Sequence, residues 1–154
     1  MKYIIFSSWR LWRIPDFFGY TNVPDAEVLE LMETNAFNYM IESISMIETY
    51  AEPEVDFNDY NTTTDEFNFE LTKKEIQMLT NLMVQQHLYR DIMKLKIYNS
   101  YFTTQEVRIF SPANDRKTFV DMFRDIEDRN IKEIKSYNSR DRLTGSLKSY
   151  SGVV

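Results

Sequence analysis

Thr72 and Glu75 stand three residues apart at the head of a long apolar-patterned stretch. This T-x-x-E spacing is a capping box: the threonine hydroxyl accepts from the Glu75 N–H while the carboxylate reaches back to the Thr72 N–H, so two orphan donors of a helix start are satisfied together. Leu71 and Ile76 occupy the staple positions on either side. Beyond the cap, Ile76, Leu79, Leu82, Met83, Leu88, Tyr89, Ile92, Met93 and Leu95 recur at helical spacing to about Tyr98. The stripe is broader than one narrow seam, which predicts a helix central to a bundle.

Two further helices follow from the same reasoning. Asp25 is placed to cap a helix just after Pro24, with Glu27 and Glu30 near the positive end of its dipole. Its apolar positions Leu29, Met32, Ala36, Met40, Ile44, Ile47 and Ala51 step by three or four, and Pro53 stops it. A third helix opens at Ser111-Pro112, a cap followed by proline at the first helical position. Along it Phe119, Phe123, Ile126, Asn130, Ile134 and Tyr137 form one face between charged residues. The expected fold class is therefore all-α: three main helices in a small bundle, with an extended aromatic N-terminal arm and a polar C-terminal tail. At 154 residues, one core suffices. The expected divisions are an arm over 1–24, a helical domain over 25–137 and a tail over 138–154.

The segments between and around the helices differ in kind. Residues 1–24 are interrupted by Pro15, Gly19 and Pro24, with an extended piece expected at Tyr3 to Phe6. Trp9, Trp12, Phe17, Phe18 and Tyr20 are too many large apolar groups to leave in water, and bury against the body or against a partner. Residues 52–70 hold seven carboxylates among Asn and Thr, which predicts a mobile, solvated loop that Phe57, Tyr60, Phe67 and Phe69 pin locally. A short extended piece is expected at Val107 to Phe110. The tail is polar and basic, with Leu143, Leu147 and Tyr150 spaced through it. It reads either as a frayed terminus or as an anchor for another chain's groove or sheet edge, and the core is expected to fold without it.

Charge is unevenly distributed. Asp25 to Glu70 contains thirteen acidic residues and no Lys or Arg, while the rest carries eighteen basic against eleven acidic. Either the acidic part packs beside the basic part of the same chain, or acidic and basic surfaces of neighbouring copies meet.

Much chemistry is excluded by composition. There is no cysteine and one histidine, so Cys/His zinc clusters, H-E-x-x-H pairs, paired Glu-x-x-His di-iron sites and cysteine nucleophiles cannot be written. His87 lies mid-helix beside Leu88, where a hydrogen-bonded structural histidine is the expectation over a Ser-His-Asp triad. Gly19, Gly145 and Gly152 are the only glycines, so neither G-x-G-x-x-G nor a Walker A loop exists. Asp56 and Asn58 match the first two ligand positions of an EF-hand, but Tyr60, Asn61 and Phe67 then stand where ligand, glycine and glutamate belong. No two carboxylates are marked as an acid/base pair. Trp9-Arg10-Leu11-Trp12-Arg13 interleaves aromatics and cations as single-strand binders do, against a sequence pI near 4.9. The apolar run at the start is too short for a signal peptide and no stretch is long enough to span a bilayer. The expectation is a protein that is neither an enzyme nor a cofactor or metal binder, made inside the cell and not embedded in a membrane.

Leu71 to Val84, read as L-T-x-x-E-I-x-x-L-x-x-L-M-V, then an aromatic-rich link, then F-S-P-A-N at Phe110 to Asn114 opening a charged helix, resembles the small helical head-tail connector (neck adaptor) proteins of tailed bacteriophages. The likeness covers about residues 70–140. It implies a structural virion protein in the neck between capsid and tail, a homo-oligomeric ring expected to be twelve-fold that bridges portal protein and neck or tail proteins, with double-stranded DNA passing through its lumen without sequence-specific binding. It also implies that residues 138–154 reach the portal, with Leu143, Leu147 and Tyr150 as anchors; these, Arg140 and Arg142, and Trp9, Trp12, Phe17 and Phe18 of the arm, are the candidate contacts to portal or a neighbouring subunit. A rival reading makes Asp25 to Glu70 a mimic of a nucleic-acid backbone that inhibits a DNA-binding enzyme.

Overall fold

The computed structural model describes residues 25–64, 66–101 and 113–149. Three helices, α1 (Asp25–Tyr50), α2 (Lys73–Tyr101) and α3 (Ala113–Asn138), form a small bundle, with a two-stranded antiparallel hairpin of β1 (Tyr60–Asn61) and β2 (Glu66–Phe67) between the first two helices. The all-α class read from periodicity is the class observed. The extended pieces expected at Tyr3 to Phe6 and Val107 to Phe110, and the Ser111-Pro112 cap, lie outside the described residues.

Central α2 packs against both α1 and α3. Its face of Met78, Leu79, Leu82 and Met83 is buried against Ala36, Tyr39, Met40, Ile44 and Ile47 of α1 and Ile134 and Tyr137 of α3. Each fully buried Leu or Ile of this kind contributes roughly 1.5–3 kcal/mol by leaving water. The broad stripe expected on α2 is not covered all along, however: Tyr89 and Met93 remain exposed.

The acidic connection is pinned by the aromatics expected to pin it, and goes further than the solvated loop expected from its composition by burying one of them and forming a hairpin. Phe57 is fully buried and meets Phe69 and Phe67 edge-on at 5.9 and 6.4 Å, while Tyr60 packs on Phe37 of α1 at 5.9 Å. The hairpin pairs Tyr60 with Phe67 and Asn61 with Glu66, and the Asn61 side-chain oxygen accepts from the Thr63 and Thr64 amides to close the turn. Carboxylates point outward from this aromatic plug, which the count of charges alone concealed. The would-be ligands Asp56 and Asn58 instead make a local turn, the Asp56 carboxylate accepting from the Asn58 N–H at 2.8 Å.

Polar groups inside the bundle are mostly paired. Fully buried Asn130 of α3 donates to Gln85 Oε1 at 2.8 Å and to the Asn81 carbonyl at 3.3 Å across α2, leaving its own side-chain oxygen without a partner. On the other side of α2, buried His87 sits between Tyr39, whose hydroxyl is 3.3 Å from Nδ1, and Asp91, whose carboxylate is 3.4 Å from Nε2. Burial holds the imidazole below its ordinary range against the pull of Asp91, and burial likewise raises the Tyr39 hydroxyl.

Candidate functional site

Glu75 closes its capping box as the spacing predicts: its carboxylate accepts from the Thr72 N–H at 2.7 Å, and its own N–H reaches the Thr72 hydroxyl at 3.3 Å. It is also 0% exposed and accepts from the Tyr137 hydroxyl at 2.7 Å. A carboxylate in that position needs a cation, and Arg142 supplies it from the C-terminal segment. Arg142 Nε lies 2.6 Å from Glu75 Oε1 and one terminal nitrogen 3.0 Å from Oε2, a two-pronged pair. The same guanidinium donates to the Glu70 carbonyl and stands over the Phe69 ring, 5.5 Å from its centroid.

The electrostatics of this knot follow from competition. Burial alone pushes the Glu75 carboxyl up, but hydrogen bonds from Arg142, the Thr72 amide and Tyr137 together outweigh it and hold the group below its usual value. Burial, reinforced by the negative partner, pushes the Tyr137 phenol upward. The carboxylate is therefore held as an anion at neutral pH, with the arginine as its counter-ion in the fold.

From this anchor the chain turns back on itself. The Asp141 carboxylate accepts from the Leu143 amide at 3.1 Å and from the Thr144 amide and hydroxyl, both at 2.7 Å. Those bonds lower its pKa, the Thr144 amide contributing most. Gly145 takes φ +70°, a left-handed conformation that glycine adopts without Cβ strain. Asp141 N donates to the Ser146 carbonyl at 2.8 Å and Lys148 N to the Ser139 carbonyl at 2.9 Å, which brings Arg140 and Leu147 opposite each other. Lys148 then pairs with Glu54 at 3.0 Å. The polar composition of 138–154 concealed this order, because its stabilisation comes from a helix begun some seventy residues earlier.

The candidate partner residues fall into three groups. Leu143 and Leu147 are 80% and 69% exposed on the turn. Arg140 donates to the Gly145 carbonyl within the turn, and Arg142 faces inward on Glu75 with 14% of its side chain exposed. Trp9, Trp12, Phe17, Phe18 and Tyr150 lie outside the described residues.

Sequence reasoning missed a second surface. Where α2 and α3 run side by side, Gln85, Gln86, Tyr89, Phe123 and Glu127 line an open cleft of about 280 Å³. Tyr89 and Phe123 form its aromatic floor, their ring centroids 6.0 Å apart, with exposed Met93 one turn beyond Tyr89. The signal was present in Tyr89 and Met93, which broaden the α2 stripe past what two neighbouring helices can cover.

Among the described residues no helix is long and apolar enough to cross a membrane, and no group of three or more His, Cys, Asp or Glu side chains is gathered to hold a metal ion. No family model, no curated protein and no solved structure matches this chain.

Proposed function

We propose that this chain is an assembly adaptor of the head-tail connector kind: a structural virion protein whose copies form a ring between portal and neck or tail, with DNA passing through the lumen. The observation that carries the reading is the pair Leu143 and Leu147, held in water on a turn whose base is locked by the Arg142–Glu75 pair. Isolated exposed leucines are ordinary; two on one hydrogen-bonded turn, Leu143 within it and Leu147 in its returning arm, are a preformed apolar contact that loses little freedom on binding. The likeness at Leu71 to Val84 and Phe110 to Asn114 suggests the kind of assembly, in which the turn meets either portal protein or a neighbouring copy.

The charge pattern adds support. Some of the acidic segment is matched within the chain, by Arg90 on Glu42 at 2.7 Å and Lys148 on Glu54, while Glu30, Glu33, Glu52 and Asp59 stand exposed. Exposed acid on one copy and exposed base on another is what joining two different faces requires.

Light scattering of the purified chain, alone and with portal assemblies, tests the proposal. Closed oligomers, or monomers that build rings once portal is added, are expected. A salt-insensitive monomer that ignores portal and blocks a nuclease would replace this reading with the nucleic-acid mimic.

A further inference from the structure

We infer that the C-terminal turn of one copy seats Leu143 and Leu147 in the Tyr89–Phe123 cleft of a second copy, so that chains join head to tail through two different patches. The inference rests on the assembly reading above and names the surfaces that reading leaves open.

Among the described residues each patch is left partly uncovered. The turn presents its leucines outward, and the cleft leaves Tyr89 46% exposed with Met93 beside it. They cannot meet within one molecule. Arg142 pins the turn to Glu75 in the first turn of α2, and Tyr89 lies fourteen residues later, about 21 Å along the axis at ~1.5 Å per residue. A second copy brings them together without breaking the Arg142–Glu75 pair.

The chemistry of the two patches is complementary. Aromatic faces with a thioether alongside accept branched aliphatic side chains well, and Glu127 stands at the cleft wall. From Asp121 to Asp128, α3 carries four acids and one base, Arg124, which already lies 3.7 Å from Asp121. Conversely, Arg140 to Lys148 carries three bases and one acid, Asp141, whose carboxylate is spent inside the turn. Arg142 and Lys148 are matched to Glu75 and Glu54, so Arg140, whose guanidinium donates to the Gly145 carbonyl but pairs with no carboxylate among the described residues, is the cation assigned to Glu127 of the neighbour. Because the patches differ, the contact is heterologous, and repeating it closes a ring or extends a filament.

The test uses full-length variants in sedimentation velocity across a concentration series. Leu143→Asp with Leu147→Asp, and separately Tyr89→Lys, are each expected to weaken self-association by about tenfold or more. Mixing the two is expected to restore pairs and nothing larger, since one intact turn and one intact cleft remain. Glu127→Lys and Arg140→Glu are each expected to weaken association, and their combination in one chain to restore it. If both leucine and tyrosine variants associate as the parent does, the assigned surfaces are wrong while the ring reading stands. A parent chain that stays monomeric at every concentration, with portal assemblies added as well as without them, overturns both. If deleting residues 1–24 dissociates the assembly and Tyr89→Lys does not, the arm makes the contact and the inference falls.

Discussion

The Arg142 guanidinium grips the Glu75 carboxylate from 67 residues along the chain, and that carboxylate is the same one that caps α2. One side chain thus starts a helix and fastens the C-terminal turn, with Tyr137 of α3 as the third party. Three separate stretches of sequence meet at a single buried anion.

Replacing Arg142 by Met leaves that anion buried without its cation. The expected cost is about 3–5 kcal/mol, the penalty for breaking a buried pair from one side. Deleting residues 138–154 is expected to cost as much, although the polar character of the segment suggests a dispensable tail. Urea denaturation of each variant checks this; a loss under about 1 kcal/mol would mean that water replaces the guanidinium at Glu75.

Acid is expected to destabilise the protein in two stages. His87 is held below 6.5 by burial, so the unfolded chain takes up a proton first and stability falls as pH drops through about that value. Glu75 is held below 4.5, so its contribution is complete above that pH and disappears as pH falls further. Denaturation midpoints recorded from pH 8 to pH 3 are expected to show both declines, and His87→Gln to flatten the first alone.

Phe57→Ala is expected to cost about 3–5 kcal/mol, the range for emptying a buried aromatic site. A change at a solvated loop residue would cost under about 0.5 kcal/mol. Thermal or urea unfolding separates these outcomes directly.

Gly145→Ala is expected to cost about 1–2 kcal/mol. Nothing lies within 4 Å of the added Cβ, so the penalty is the left-handed backbone at φ +70° and not a clash. Gly145→Asn is expected to recover part of it, and the comparison of the two melting curves isolates the backbone term.

Local signals carried the helices well. The Thr72–Glu75 spacing, the three-and-four steps from Ala36 to Ala51 and the face ending at Ile134 and Tyr137 each depend on residues within a few turns of one another, and each matches the fold. What the sequence could not display was pairing at a distance. Nothing local marks Arg142 as the partner of Glu75, or Asn130 as the partner of Gln85. Composition misled where two patterns overlap: in residues 52–70 the carboxylates argued for solvent while Phe57, Phe67 and Phe69 built a plug beneath them. The cleft was hidden for another reason, since an apolar stripe reports that something is covered and not by which chain.

The position of Arg142 also bears on how the molecule is made. Ribosomes deliver α1, the hairpin, α2 and α3 in order, so Glu75 meets its threonine first, its tyrosine only when the end of α3 emerges, and its cation after both. The nascent bundle therefore carries a desolvation debt at its centre until Arg142 leaves the exit tunnel. Locking of the fold waits on Arg142, so a message truncated just before that codon yields the three helices without the cation that fastens them.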